Sequence, residues 1–102
     1  MRRGEVWWSD VPGLGRRPVL VLSRDVAIPV LGRVAVALLT TTVRDIPTEV
    51  LLDTADGVPR RSVVSLDNIY TISKRRLTKR LTRLSEAHLV EVCAALRFAV
   101  DC

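Results

Sequence analysis

The sequence predicts a mainly β protein, in which short antiparallel strands form a small barrel or a strongly bent sheet and one C-terminal helix covers it. Two observations indicate this fold class. Residues 4–72 contain several apolar runs of strand length, rich in β-branched residues and separated by turn residues. Residues 86–100 carry apolar residues at helical spacing. With 102 residues, 48% of them hydrophobic, we expect one domain over residues 1–102 with one compact core.

The first three strands are bounded by charged and turn residues. We expect strand one over Gly4–Ser9, ended by the turn residues Asp10–Gly15, and strand two over Arg17–Ser23. A connection over Arg24–Gly32, which contains a proline, leads to strand three over Arg33–Leu39. Strand two and strand three each have hydrogen-bonding side chains where the apolar run meets solvent.

Further strands are expected at Thr48–Leu52 and Ser62–Leu66, with Asp56-Gly57 between them as a hairpin signal. Asn68–Ile72 either continues the second of these strands or begins another. Residues 74–83 carry six basic residues and no acidic one, with leucines that fit a helical turn or part of a strand. This basic segment is either a solvated face or an edge that contacts a phosphate or a partner.

The C-terminal helix has a recognisable start. Ser85 is a good N-cap, and Glu86 suits the positive end of a helix. An apolar face at helical spacing follows, formed by Leu89, Val92, Cys93, Leu96 and Ala99 or Val100. We expect this face to pack on the sheet, with Cys93 in the core.

Charge favours an anionic partner. Sixteen basic residues against eleven acidic residues give a formal net charge of +5. Fourteen of the sixteen are arginine, the side chain that forks onto phosphate and stacks on bases.

The compartment is expected to be the cytoplasm. No apolar run is long enough to span a membrane, and no secretory signal opens the chain. Cys93 and Cys102 lack Cys-x-x-Cys spacing and neighbouring histidines, so we interpret both as reduced thiols.

Two strand ends suggest a site for an oxyanion. Arg17 opens strand two, and the hydroxyls of Thr40, Thr41 and Thr42 follow strand three. If these strands pair, the arginine and the hydroxyls converge, and phosphate is the obvious candidate ligand.

Other catalytic groups are scarce. The one histidine, His88, falls in the first turn of the predicted helix, which excludes a histidine pair within one chain. The eleven acidic residues are scattered, without an Asp-x-Asp motif or a histidine cluster, so we expect no metal site.

Four segments, in order, resemble the MazF/PemK-type toxins. They are Arg3-Gly-Glu-Val-Trp-Trp8, Arg17-Pro-Val-Leu-Val-Leu-Ser-Arg-Asp25, Thr40-Thr-Thr-Val-Arg44 followed by Pro47-Thr-Glu-Val50, and Val63-Val-Ser-Leu-Asp-Asn-Ile-Tyr-Thr-Ile72. The resemblance implies an SH3-like barrel of the CcdB/PemK type, a symmetric homodimer and a cognate antitoxin. It also implies sequence-selective cleavage of single-stranded RNA without a metal or other cofactor, the RNA being mRNA, an rRNA loop or a tRNA.

The resemblance places catalysis on Arg17 and Thr40. In this family the ribose 2′-OH attacks the adjacent phosphate and leaves a 2′,3′-cyclic phosphate and a 5′-OH. A guanidinium stays protonated, so we interpret Arg17 mainly as an electrostatic stabiliser of the phosphorane-like transition state. Donation of a proton from Arg17 to the leaving 5′-oxygen is left open.

Four further residues are candidate RNA contacts. Arg16 is either a second phosphate contact or a plain loop charge. Thr42 shares the face of Thr40 if the strand continues. Arg44 either touches RNA or pairs with a nearby acid. Asn68 has the donor and acceptor edge that reading a base requires.

The two tryptophans of strand one should point to opposite faces. Trp7 and Trp8 are both core or interface residues, or one of them stacks on a base or receives the antitoxin. Two other functions also stay open: a nucleic-acid-binding barrel without catalysis, and a CcdB-like protein that poisons a topoisomerase through protein contact.

Overall fold

The computed structural model describes residues 1–100, in which six strands form one antiparallel sheet and one helix packs against it. The strands are β1 (Glu5–Val11), β2 (Gly15–Val21), β3 (Arg33–Thr40), β4 (Glu49–Leu52), β5 (Ser62–Ser73) and β6 (Leu77–Arg83), and the helix is α1 (Glu86–Ala99). Their order across the sheet is β4-β5-β3-β2-β1-β6. The predicted mainly β fold with a C-terminal helix is confirmed. Cys102 lies outside the described residues.

A bulge in β5 bends the sheet. Asn68–Ile72 continues the preceding strand, so β5 is one strand of 12 residues. Ala37 of β3 lies opposite Ile69, but the next residue, Leu38, lies opposite Ser65, so residues 66–68 have no partner on β3. Extra residues on one strand increase its bend and twist, which lets this sheet curl towards a barrel.

The sequence predicted a hairpin turn at Asp56-Gly57, and this prediction is wrong. Residues 54–56 form a short 3-10 turn. The side chain of Asp53 accepts from the Asp56 backbone N–H, and the side chain of Asp56 accepts from the Asp53 backbone N–H. The Gly57 N–H donates to the Thr54 carbonyl at 3.0 Å, with Gly57 at φ 94°. β4 and β5 do pair antiparallel, but residues 53–61 connect them because this capped turn stands between the strands.

Buried apolar side chains form two clusters, where the sequence predicted one core. Leu20 belongs to the cluster that includes Val92 and Ala95 of α1. Its neighbours Val19 and Val21 belong to the second cluster. Successive side chains of a strand point to opposite faces, so the centre of the sheet is covered on both sides.

The basic segment is largely strand. Residues 74–76 form a 3-10 turn, and residues 77–83 form β6, which pairs with β1 at one edge of the sheet. Lys74 is tied down, since its Nζ donates to the Ile28 carbonyl at 2.8 Å. The strand alternative is therefore the correct one for residues 77–83.

Helix α1 begins as predicted but buries a narrower face. The Ser85 hydroxyl accepts from the His88 N–H at 3.2 Å. Val92 and Ala95 are buried, whereas Cys93 is only half-buried and lies 3.7 Å from Nη2 of Arg3. The prediction of a core Cys93 is wrong, because its side chain lies at the margin of the helix, beside a charged group. No helix within residues 1–100 is long and apolar enough to cross a membrane.

His88 joins the helix to the turn at residues 54–56. Its Nε2 lies 3.0 Å from Oδ1 of Asp56, and its Nδ1 lies 3.2 Å from Oε1 of Glu91. A hydrogen bond from the Asp53 backbone, followed by the charge and hydrogen bond of His88, holds the pKa of Asp56 below its ordinary value.

Glu5 is a buried carboxylate that links the N-terminus to β6. It accepts from the Arg2 N–H at 2.7 Å and from Nε1 of Trp7 at 3.1 Å, and it pairs with Nε of Arg80 at 2.7 Å. Burial raises the pKa of Glu5, but the bonds from Trp7, Arg2 and Arg80 together outweigh it, so the pKa lies below its ordinary value.

We expect Glu5→Gln to lower the free energy of unfolding by about 1–3 kcal/mol at pH 7, because the network loses its negative charge and one of its two acceptor oxygens. The pKa of Glu5 is lower in the folded chain than in the unfolded chain, so at pH values between the two the unfolded chain binds more protons. The contribution of the carboxylate is therefore complete above about pH 4.3 and is lost as the pH falls through the folded pKa. Urea unfolding at several pH values tests this, with Asp45→Asn as an exposed control. A wild-type to variant difference that persists in strong acid would contradict it.

Candidate active site

The start of β2 and the end of β3 meet at one cavity. Val19 pairs with Leu38 and Val21 with Val36. Continued by two residues, the same register would place Arg17 opposite Thr40. A cavity of about 310 Å³ opens here, lined by Trp8, Arg16, Arg17, Pro18, Leu39, Thr40, Thr41, Pro59, Arg60 and Ser62.

The backbone of Arg17 is held by a buried hydroxyl. Ser9 lies opposite Arg17 on β1, and its hydroxyl donates to the Arg17 carbonyl at 2.8 Å. Ser9 is only 1% exposed. Within residues 1–100, no carboxylate forms an ion pair with the Arg17 guanidinium. The main chain at Arg17 is therefore anchored, and the guanidinium is available to an anion.

The Thr40 hydroxyl is oriented by the chain that follows it. Its Oγ1 accepts from the Thr42 N–H at 3.2 Å, which leaves the hydroxyl proton free to donate. Thr41 lines the cavity, whereas Thr42 is exposed outside it. The expectation that Thr42 shares the face of Thr40 is wrong for this cavity, because β3 ends at Thr40 and strand alternation ends with it.

Arg16 and Trp8 form one wall of the cavity. The guanidinium carbon of Arg16 lies 4.7 Å from the centroid of the Trp8 ring, a cation–π distance. Trp7 packs against the second core cluster and bonds Glu5. The two tryptophans therefore face opposite sides of β1, as predicted, and Trp8 is the one at the cavity.

Two candidate RNA contacts lie outside the cavity. Nη1 of Arg44 is 3.7 Å from Oε2 of Glu49, and the Arg44 N–H donates to Oε1 of the same side chain at 2.9 Å. Arg44 thus pairs with a nearby acid, which is one of the two alternatives that the sequence left open. Asn68 is exposed on the β5 bulge, where its Nδ2 donates to the Ser65 hydroxyl at 2.8 Å.

Sequence reasoning missed the contribution of the segment before β5. Arg60 lines the cavity, and the buried Ser62 donates its hydroxyl to the Arg60 carbonyl at 3.0 Å. The adjacent arginines at positions 60 and 61 were the available signal, but nothing local indicates that they reach the end of β3.

The cavity suits an oxyanion. Three arginines and three hydroxyl side chains line it, and no carboxylate does so among the described residues. A guanidinium and a hydroxyl donor fixed at one point stabilise the charge that a phosphorane-like transition state gathers on its oxygens. His88 pairs with Asp56 and lies outside the cavity lining. Residues 1–100 contain no group of three metal-ligating side chains.

Residues 2–100 match the family of PemK-like, MazF-like toxins of type II toxin–antitoxin systems. The chain belongs to this family. The probable endoribonuclease MazF5 of Mycobacterium tuberculosis is 50% identical over 101 residues, which cover 98% of this chain and 93% of that protein. Endoribonuclease EndoA of Bacillus subtilis is 32% identical over 109 residues, which cover 98% of this chain and 94% of that protein.

Solved structures of PemK/MazF toxins have the same fold. An endoribonuclease from a mycobacterial species, solved in complex with its cognate antitoxin, has a TM-score of 0.90 at 32% identity, covering 98% of this chain and 94% of that chain. The M. tuberculosis toxin MazF-mt6 has a TM-score of 0.89 at 36% identity, covering 95% of this chain and 96% of that chain. These matches confirm the PemK/MazF resemblance and the fold it implied.

Proposed function

We propose that this protein is the toxin of a type II toxin–antitoxin system and an endoribonuclease that cleaves single-stranded RNA. One observation carries the proposal: Arg16, Arg17 and Arg60 share a cavity with hydroxyl donors and with no carboxylate among the described residues. The endoribonuclease names of the relatives support the same activity.

Cleavage proceeds by transfer of the phosphate to the neighbouring 2′-oxygen. The 2′-oxygen bonds to phosphorus and loses its proton, the bond to the 5′-oxygen breaks, and that oxygen gains a proton. Arg17 and the Thr40 hydroxyl stabilise the charge on the non-bridging oxygens as it grows. The nucleophile belongs to the substrate, so no side chain of the protein needs to form a covalent bond.

Four residues serve as RNA contacts in this proposal. Arg16, whose guanidinium lies over the Trp8 ring, contacts a phosphate beside the scissile one. Arg44 keeps a 58% exposed side chain despite its pairing with Glu49, so its guanidinium is accessible to RNA. Asn68 retains its carbonyl oxygen and one amide proton for a base edge. Thr42 contacts the RNA from outside the cavity.

The partners follow from charge and family. A cognate antitoxin places an acidic, amphipathic segment against the same basic surface and competes with RNA. The solved relative with its cognate antitoxin supports this partner. Residues 1–102 act as one toxin domain, which works as a homodimer in the cytoplasm.

Incubation of the purified protein with a long defined RNA in EDTA tests the proposal, with mapping of the new ends. We expect discrete cuts that carry 5′-OH and 2′,3′-cyclic phosphate ends. Intact RNA that the protein nevertheless binds would instead indicate a binding barrel without catalysis. Growth arrest with intact RNA and damaged DNA would indicate a topoisomerase poison.

A further inference from the structure

A second cationic cavity lies beside the β1–β2 turn. It has a volume of about 550 Å³ and is lined by Arg33, Arg75, Arg76, Thr71 and Ser73, together with Val11, Pro12 and Ile72. Three guanidiniums and two hydroxyls therefore face one space, and no carboxylate lines it among the described residues. Arginine forks and hydroxyl donors are the groups that bind phosphate oxygens.

The walls of this cavity are held in place by backbone contacts. Arg33, at the start of β3, pairs with Ser73 at the end of β5. Arg75 and Arg76 lie on the 3-10 turn whose first residue, Lys74, donates its N–H to the Gly32 carbonyl at 3.1 Å and its Nζ to the Ile28 carbonyl at 2.8 Å. Lys74 is thus used within the fold, whereas the two arginines after it are exposed.

Asp10 lies on β1 between Trp8, which lines the first cavity, and Val11, which lines the second. Nη1 of Arg76 lies 3.5 Å from the Asp10 carbonyl, and Asp10 pairs with Arg16 across β1 and β2. Paired strands are about 5 Å apart, so Arg76 approaches the strand position next to Arg16. Asp10 adds one carboxylate between the cavities, against three arginines in each of them.

We infer that the cavity of Arg33, Arg75 and Arg76 binds a backbone phosphate of the same RNA strand, away from the scissile bond, so that the RNA crosses the β1–β2 turn. This inference rests on the proposed function. No aromatic ring and no amide side chain lines the cavity among the described residues. Its contacts therefore go to phosphate, which adds affinity and register without reading sequence.

Binding of a long RNA at several salt concentrations tests the inference, with Arg75→Gln/Arg76→Gln made in a Thr40→Ala background that slows cleavage. We expect binding about five- to tenfold weaker, and a salt slope shallower by about 0.7 to 1.4, for one or two lost phosphate contacts. An oligonucleotide limited to the cleavage site should bind both proteins equally. Arg33→Gln, in the same background, should reproduce part of the loss from a different wall.

Arg24→Gln/Arg97→Gln is the matched control, because it removes the same charge from exposed positions outside both cavities. The inference would be overturned if the control variant lost as much affinity for the long RNA as Arg75→Gln/Arg76→Gln does. It would also be overturned if Arg75→Gln/Arg76→Gln weakened binding of the short oligonucleotide as much as binding of the long RNA. Unchanged RNA binding with weakened binding of an acidic antitoxin peptide would reassign the cavity to the antitoxin. A changed oligomeric state would reassign it to a second copy of the chain. Because binding is the readout, failure here is distinguishable from an absence of RNA cleavage.

Discussion

Arg17→Ala is expected to lower the rate of RNA cleavage by about 10²–10³-fold, the usual effect of losing one preorganised donor to a transition-state oxyanion. Arg17 lines the cavity, and Ser9 holds its backbone carbonyl. Loss of the guanidinium therefore removes charge stabilisation at this cavity. Single-turnover cleavage of a defined RNA measures the effect. Arg24→Ala, at an exposed position outside the cavity, is the control for lost charge and should cleave normally.

Three further variants sharpen this prediction. Arg17→Lys keeps the charge but not the fork, so it should recover only part of the rate. Thr40→Val should slow cleavage, whereas Thr40→Ser should cleave nearly as wild type, because the hydroxyl both accepts from the Thr42 N–H and can donate to the phosphate. A higher KM with unchanged kcat for Arg17→Ala and Thr40→Val would contradict a transition-state role and leave only substrate binding.

Gly57→Ala is expected to lower the free energy of unfolding by about 2–5 kcal/mol, the largest stability effect that we predict for a single methyl group. Gly57 has φ 94°, and a Cβ there would lie 2.6 Å from Cβ and Oγ1 of Thr82 on β6. Left-handed backbone costs a residue with a side chain about 1–2 kcal/mol, and overpacking adds about 1–3 kcal/mol. Urea unfolding of the variant and the wild type measures the loss.

Gly13→Ala separates these two costs. Gly13 has φ 87°, but a Cβ there would meet nothing within 4 Å. Gly13→Ala should therefore lose only the backbone cost, about 1–2 kcal/mol. Equal losses at Gly13 and Gly57 would show that the close approach to Thr82 does not contribute.

Local patterns predicted most of the secondary structure. Apolar runs and turn residues located the strands within a few residues, and Ser85 marked the start of α1 because its cap depends only on the next turn. The Asp56-Gly57 signal failed for a related reason. The same residue pair serves as the end of a 3-10 turn when Asp53 caps it, and a dipeptide pattern does not include that residue.

The candidate site was only partly predictable. Arg17 lies near the start of β2 and Thr40 ends β3, so antiparallel pairing of those strands brings the two residues together. Arg60 reaches the same cavity from a connection with no regular pattern, and Ser9 acts through a hydrogen bond across the sheet. Arg44 and Asn68 lie elsewhere, because a loop and a bulge carry them away from the cavity.

By itself, the sequence determined the approximate positions of β1 to β5 and of α1, the basic charge and, through four motifs in order, the family. These depend on residues that are close along the chain. Only the tertiary structure decided that the sheet is covered on both faces, that Cys93 lies at the helix margin, and which arginines share each cavity. The physical reason is that register, a bulge and the bend of the sheet set which distant side chains meet, and small shifts in them regroup the side chains.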